Sequence, residues 1–147
     1  MKILIVENDP NKSGQLELFL NDELKIHKRN IEVKKSYQSG LETILSNHFD
    51  LLILDMSLPT FDITKEDDGG ETLDRGGEVI LQEMEREGIK IKAVIVTQYE
   101  EFGDVSLEEI DNSLKNEFSD FYLGCIYYNS TQMGWQNELK KIIENFK

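Results

Sequence analysis

The sequence predicts an α/β protein built on a doubly wound, five-stranded parallel sheet with helices on both faces. Two observations support this fold class. Five short segments of strand character alternate along the 147 residues with segments whose apolar residues recur at helical spacing. The segment 51–54 (Leu-Leu-Ile-Leu) is apolar without interruption, which is typical of a strand buried on both faces of a parallel sheet. Strands and helices that alternate in this way build βαβ units.

The first strand and helix occupy the N-terminal region. Residues 2–6 are mainly apolar and rich in β-branched side chains, and they predict a buried strand. Either Asn8 or Asp9 can cap the next helix, and Pro10 suits its first turn. The apolar residues of 16–20 then recur at helical spacing.

The remaining elements continue this alternation. Residues 31–35 alternate in polarity and predict a second strand near a sheet edge. Further strands are predicted to end at Asp55 and to span 92–97 and 123–128. Helices are predicted over 38–47, 77–88, 106–117 and 135–146.

Residues 60–76 interrupt the alternation with six acidic residues and three glycines. This composition predicts a mobile loop inserted in a single domain that spans residues 1–147. The acids of the loop could supply a metal ligand, the loop could cover a pocket beside Asp55, or it could be a solvated insertion.

Composition excludes several classes of function. The chain has 29 acidic residues against 16 Lys and Arg, a formal charge of −13 that repels phosphate backbones and argues against direct nucleic-acid binding. Cys125 is the only cysteine, so no internal disulfide can form. Residues 1–6 are too short and too quickly followed by an acid to be a signal peptide, and no apolar run reaches the length of a membrane span. We therefore expect a cytoplasmic protein.

Polar side chains follow three of the predicted strands. Asp55 ends the central apolar strand, where ligands bind in open parallel sheets, and it could be a metal ligand, a phosphoryl acceptor or a turn residue. Glu7 and Asn8 end the first strand and Thr97 ends the fourth, on the same rim. Oxygen ligands beside Asp55 make a Mg²⁺ site plausible, and the Thr97 hydroxyl could bond a phosphoryl oxygen.

Three stretches together resemble the receiver domains of response regulators in two-component signalling. They are 3–10 (Ile-Leu-Ile-Val-Glu-Asn-Asp-Pro), 50–59 (Asp-Leu-Leu-Ile-Leu-Asp-Met-Ser-Leu-Pro) and 93–99 (Ala-Val-Ile-Val-Thr-Gln-Tyr). The resemblance spans essentially the whole chain apart from the 60–76 loop, and it implies the flavodoxin-like receiver fold.

The resemblance also implies a chemistry and partners. Asp55 would accept a phosphoryl group from a sensor histidine kinase or a phosphotransfer protein. Mg²⁺ would be held by Glu7, Asn8, Asp55 and the main-chain carbonyl of Ser57, and Thr97 would bond the new phosphoryl group. The protein would be a stand-alone receiver rather than an enzyme, would signal through a protein output partner without contacting nucleic acid or membrane, and could dimerise.

Four positions depart from the family pattern. Asn8 replaces the second acid of strand one, and Gln98 replaces a small residue after Thr97. Tyr128 falls where the family has a lysine, and residues 116–139 contain no Lys or Arg. Cys125 falls where an aromatic switch residue usually lies. We therefore expect weakened Mg²⁺ binding and no cation opposite the phosphoryl acceptor.

Three functional hypotheses follow. The favoured one is a stand-alone receiver phosphorylated on Asp55. The alternative is a pseudo-receiver, a protein-interaction module that works without phosphorylation. A small phosphatase or nucleotide-binding enzyme is disfavoured because no Gly-rich phosphate loop follows the first strand.

Overall fold

One parallel sheet organises the chain in a computed structural model that describes residues 1–146. Its strands are β1 (Ile3–Val6), β2 (Ile31–Lys34), β3 (Leu51–Leu54), β4 (Lys92–Thr97) and β5 (Tyr122–Tyr127). The spatial order is β2-β1-β3-β4-β5, and every neighbouring pair is parallel. The predicted doubly wound sheet is confirmed, with β2 at an edge as expected.

Five helices cover the two faces of this sheet. They are α1 (Pro10–Asp22), α2 (Tyr37–Ser46), α3 (Gly76–Glu87), α4 (Leu107–Glu117) and α5 (Gly134–Phe146). Helices α1 and α5 pack on one face, and α2, α3 and α4 pack on the other. Within residues 1–146, no helix combines the length and apolar character needed to cross a membrane.

Local signals explain where the helices begin and end. The carboxylate of Asp9 accepts a hydrogen bond from the backbone N–H of Asn11, so Asp9 is the cap of α1 and Pro10 opens the helix. Ser36 and Ser39 form a reciprocal capping box at the start of α2. Gly88 ends α3 in the left-handed region with φ 71°.

The register of the sheet brings the predicted site residues to one rim. Val6 of β1 lies beside Leu54 of β3, and the Val6 carbonyl accepts a hydrogen bond from the N–H of Asp55 at 3.0 Å. The side chains of Glu7 and Asp55 therefore leave adjacent strands at the same level. This adjacency follows from parallel pairing of two strands that both end in an acid.

The loop predicted over 60–76 is present over residues 60–71, which contain no helix or strand, and two short strands close it. Leu58–Pro59 pairs antiparallel with Thr72–Leu73, and the Thr60 N–H donates to the Glu71 carbonyl at 3.0 Å. We call residues 58–73 the acidic hairpin. Its acids have a local role, because the carboxylates of Asp67 and Asp68 accept hydrogen bonds from the N–H groups two residues on.

A second short hairpin was not foreseen. Glu101–Phe102 pairs antiparallel with Val105–Ser106 between β4 and α4. Gly103 at its tip has φ 65°, which glycine adopts without strain.

Candidate functional site

A pocket of about 210 Å³ opens at the carboxyl end of the sheet. Five of its lining residues follow β1 and β3: Glu7, Asn8, Asp9, Asp55 and Ser57. The remaining walls come from the acidic hairpin and from the turn after β4: Pro59, Ile63, Thr72, Gln98 and Tyr99. The hairpin thus contributes part of the pocket wall, and none of the acids of 60–76 lines the pocket.

Asp55 lies at the base of this pocket with its side chain 11% exposed. Its Oδ1 accepts a hydrogen bond from the N–H of Met56 at 2.8 Å and lies 3.3 Å from Nζ of Lys12. Burial raises the pKa of Asp55, and the Lys12 ammonium opposes that rise. The Met56 N–H and the Lys12 ammonium both contact Oδ1, so neither of them contacts Oδ2.

Lys12 supplies a cation that the sequence did not predict. Its side chain is only 1% exposed, with Nζ 2.6 Å from Oε1 of Glu7. The same ammonium donates a hydrogen bond to the carbonyl of Val96, on β4, at 2.6 Å. The expectation that no cation lies opposite Asp55 is therefore wrong.

The position of Lys12 on α1 explains how it reaches the site. Side chains on a helix tilt toward its N-terminus, so a first-turn residue on the buried face of α1 points at the strand ends. Lys12, Leu16 and Leu20 share this face at four-residue spacing, and all three are at most 1% exposed. A lysine in register with two core leucines is the signal that could have identified it.

Glu7 is buried beside this lysine. Its Oε2 accepts a hydrogen bond from the N–H of Asp9 at 3.0 Å, while Oε1 contacts Lys12. Burial raises the pKa of Glu7 to about 7, although Lys12 lowers it; the charge of Asp55 raises it further. Near neutral pH the Glu7 carboxyl is therefore close to its titration midpoint.

The expected magnesium ligands meet at the pocket, but they do not fit a divalent ion between the two acids. Glu7, Asn8, Asp55 and Ser57 all line the cavity. Oε2 of Glu7, however, accepts the Asp9 N–H, and Oε1 forms an ion pair with Lys12 but, within residues 1–146, no hydrogen bond. The same ammonium lies 3.3 Å from Asp55, so a cation already lies beside both acids. Within residues 1–146, no group of three or more His, Cys, Asp or Glu side chains has a metal-binding arrangement.

Two other predicted site residues lie behind the pocket wall. Thr97 is fully buried, and its Oγ1 accepts a hydrogen bond from the N–H of Tyr99 at 3.3 Å. Tyr128 is 2% exposed, and within residues 1–146 its hydroxyl has no hydrogen-bond partner. Its ring instead lies 5.7 Å from Nζ of Lys12 and packs on Trp135. Tyr128 thus contributes an aromatic face to the site rather than a hydroxyl donor.

The other two departures from the family pattern also have contacts. Gln98 lies at the pocket mouth, where its Nε2 donates to Oδ2 of Asp9 at 3.4 Å. Cys125 lies 2.8 Å from the Tyr122 hydroxyl, and its N–H donates to Asp111. Burial raises the pKa of Cys125 to about 12, so the thiol is neutral and serves as packing rather than chemistry.

Comparison with known proteins identifies two relatives that are similar to this chain over nearly its whole length. No family model matches the chain. It is 28% identical to protein y4jR of Sinorhizobium fredii over 95% of both chains. It is also 28% identical to the Detocs response regulatory protein DtcB of Enterobacter cloacae, over 98% of this chain and 99% of that protein.

Solved receiver domains share the whole architecture. A response regulator receiver domain protein of Methanospirillum hungatei superposes with a TM-score of 0.63 at 22% identity, covering 98% of this chain and 91% of that one. The receiver domain of a Pseudomonas aeruginosa sensor histidine kinase, solved with magnesium in its active site cleft, gives a TM-score of 0.62 at 15% identity, covering 98% and 94%. The resemblance to response-regulator receiver domains is confirmed, and the chain has their fold.

Proposed function

We propose that this chain is a receiver domain that accepts a phosphoryl group on Asp55 and signals through protein contacts. One observation carries the proposal: the Asp55 carboxylate lies at the base of a pocket at the end of the central strand, beside a buried ammonium. The chain matches DtcB over 99% and y4jR over 95% of their own lengths, and DtcB is described as a response regulatory protein, which supports a response-regulator role.

In the proposed reaction the protein positions the Asp55 carboxylate and stabilises the negative charge of the transferring phosphoryl group. A free oxygen of Asp55 attacks the phosphorus of a phosphohistidine on a sensor kinase or phosphotransfer protein, and an O–P bond forms. The P–N bond breaks, and the imidazole leaves with the electron pair and takes up a proton. The product is an acyl phosphate on Asp55, so the domain carries a signal rather than turning over a small substrate.

The readout would pass through β4. Thr97 follows Val96, whose carbonyl accepts the hydrogen bond from Lys12. The Thr97 oxygen accepts the Tyr99 N–H, so the hydroxyl hydrogen of Thr97 is available to bond a phosphoryl oxygen. A shift of Thr97 toward the phosphoryl group would break its bond to the Tyr99 N–H. The ring of Tyr99 contacts Phe102 of the second hairpin, so the shift would alter the surface that an output partner reads.

Magnesium bound by Glu7, Asn8, Asp55 and the Ser57 carbonyl was the expectation drawn from the family. The proposal includes no step through that ion, because Lys12 already contacts both carboxylates. The Pseudomonas aeruginosa receiver domain was solved with magnesium in its active site cleft, and that observation applies to that protein.

The test is phosphorylation by a small acyl phosphate, followed by intact-mass and peptide mass spectrometry. We expect the wild-type chain to gain one phosphoryl group, and Asp55→Asn to gain none. Asp50→Asn is the matched control, since Asp50 lies at the opposite end of β3 and is exposed. Labelling that persists in Asp55→Asn, or that is lost in Asp50→Asn, would contradict the assignment.

The pseudo-receiver is the second candidate, and one observation favours it. Oδ1 of Asp55 contacts both the Lys12 ammonium and the Met56 N–H, and these contacts would keep the carboxylate in one position. In that case, the wild-type chain would gain no label, and Asp55→Asn would bind the output partner as well as the wild type.

A further inference from the structure

We propose that Lys12 is the resident cation of this site, taking the place between Glu7 and Asp55 that a divalent metal would need. The site would then work without Mg²⁺. The catalytic half of this inference rests on the proposed function, whereas the metal-binding half can be tested without it.

Three oxygens lie around the Lys12 ammonium, one in a hydrogen bond and two in ion pairs. An ammonium has three N–H donors, and three oxygens surround Nζ: Oε1 of Glu7 at 2.6 Å, the carbonyl of Val96 at 2.6 Å and Oδ1 of Asp55 at 3.3 Å. The ring of Tyr128 lies on a further side. A lysine that merely covered apolar surface with its stem would extend its ammonium into water instead.

Burial holds Lys12 in this position. The side chain is 1% exposed and belongs to the same buried face of α1 as Leu16 and Leu20. Withdrawal of the ammonium would leave the buried Glu7 and Asp55 carboxyls without a counter-ion, so that they could stay ionised only at a large cost. A divalent ion would therefore have to displace a buried cation from two ion pairs and a hydrogen bond.

The charges of the site agree with a monovalent cation. The family pattern places two acids at the end of strand one, and here the second is Asn8, so Lys12 faces two carboxylates rather than three. Tyr128 stands at the position of the usual lysine, and it presents its ring to the relocated ammonium. The loss of an acid at Asn8 and the loss of a lysine at Tyr128 are therefore both consistent with a site whose cation is supplied by α1.

This position gives Lys12 a role in phosphoryl transfer. Its longest contact, 3.3 Å, is to Oδ1 of Asp55, so this is the contact it can exchange for an oxygen of an incoming phosphoryl group. The ammonium would stabilise the negative charge of the transferring group as a fixed point charge. It neither gives nor takes a proton in the step.

The first test measures Mg²⁺ binding directly, by isothermal titration and by amide shifts of residues 7–9 and 55–57. We expect no site-specific binding in the millimolar range for the wild type, and binding at these residues for Lys12→Met, which frees both carboxylates. Lys34→Met, at an exposed ion pair on β2, is the control and should behave like the wild type. Millimolar binding by the wild type, or no binding by folded Lys12→Met, would overturn the inference.

The second test measures phosphorylation by an acyl phosphate in EDTA and in excess Mg²⁺. We expect equal wild-type rates in both, and a loss of about 100-fold for Lys12→Met in EDTA, the scale seen when one donor to a reacting oxyanion is removed. A wild-type rate that requires Mg²⁺ would refute the role of Lys12. Absence of labelling in both conditions would instead refute the proposed function. If Lys12→Met did not fold, the Mg²⁺ titration of the wild type would still test whether Lys12 excludes the metal.

Discussion

The ammonium of Lys12 and the carboxylate of Glu7 lie 2.6 Å apart, with side chains 1% and 4% exposed. This contact joins the first turn of α1 to the end of β1. Because the pair also contacts Asp55 and the Val96 carbonyl, it ties three strands of the sheet together at the site. Stability and chemistry therefore depend on the same few atoms.

Removal of the cation should be costly to stability. Lys12→Met leaves Glu7 and Asp55 buried without a counter-ion, and we expect a loss of about 3–5 kcal/mol in the free energy of unfolding. Denaturant titration in EDTA measures it. Lys34→Met, which removes an exposed pair with Glu32, should stay within about 1 kcal/mol of the wild type.

A double mutant distinguishes a charge effect from a packing effect. Glu7→Gln removes one of the two carboxylates, so Lys12→Met should cost less in that background than in the wild type. Equal costs in the two backgrounds would contradict an ion pair that contributes to folding.

The raised pKa of Glu7 predicts a pH dependence of stability. Burial raises it from 4.5 to about 7, so the folded state holds more protons than the unfolded state between these pH values. The contribution of Glu7 to stability is thus complete below pH 4.5 and is lost as the pH rises through about 7. The unfolding free energy of the wild type relative to that of Glu7→Gln should fall over this window by at most about 4 kcal/mol, at about 1.4 kcal/mol per pKa unit.

Unfolding in EDTA at closely spaced pH values checks this sign. A difference between the two proteins that rises with pH would mean that the pKa of Glu7 is lowered on folding. Such a result would contradict the dominance of burial over the Lys12 charge at this carboxyl.

Tyr128 should tolerate the loss of its hydroxyl but not of its ring. The buried hydroxyl has no hydrogen-bond partner within residues 1–146, so Tyr128→Phe should leave stability unchanged or raise it by about 1 kcal/mol. Tyr128→Leu removes the aromatic face beside Lys12 and the contact with Trp135, and should cost about 2 kcal/mol or more. Equal effects of the two substitutions in thermal or denaturant unfolding would contradict this division.

The approach of α3 to Asp55 makes Gly77 sensitive. A Cβ at this position would lie 2.3 Å from the Asp55 carbonyl oxygen, so Gly77→Ala must push α3 away from the phosphoryl acceptor. We expect a loss of about 1–3 kcal/mol in unfolding free energy and altered amide shifts at 55–57. Gly14→Ala, which meets nothing within 4 Å on α1, is the control and should stabilise by about 0.5–1 kcal/mol. A neutral Gly77→Ala would rule out this close contact.

The sheet and the acids at its rim could be predicted from sequence because both depend on local signals. An apolar run predicts a buried strand, and parallel pairing then places Glu7 beside Asp55. Asp9 and Pro10 marked the start of α1 by their chemistry alone.

The burial of Lys12 and the hydrogen bonds within the acidic hairpin could not be predicted from composition. A lysine in a first helical turn is ordinarily solvated, and only packing against Val96 and Tyr128, more than 80 residues away, buries this one. Asp67 and Asp68 are exposed, in agreement with a solvated insertion, and their carboxylates also accept turn amides. In both cases the sequence shows the charged residue but not the group that it contacts.

Peptide mass spectrometry of the wild-type chain after treatment with an acyl phosphate in EDTA tests the central claim most directly. A receiver site whose cation is Lys12 predicts one phosphoryl group on Asp55 at the same rate as in excess Mg²⁺. A phosphoryl group on Asp55 only when Mg²⁺ is present, or on no residue at all, would contradict the account.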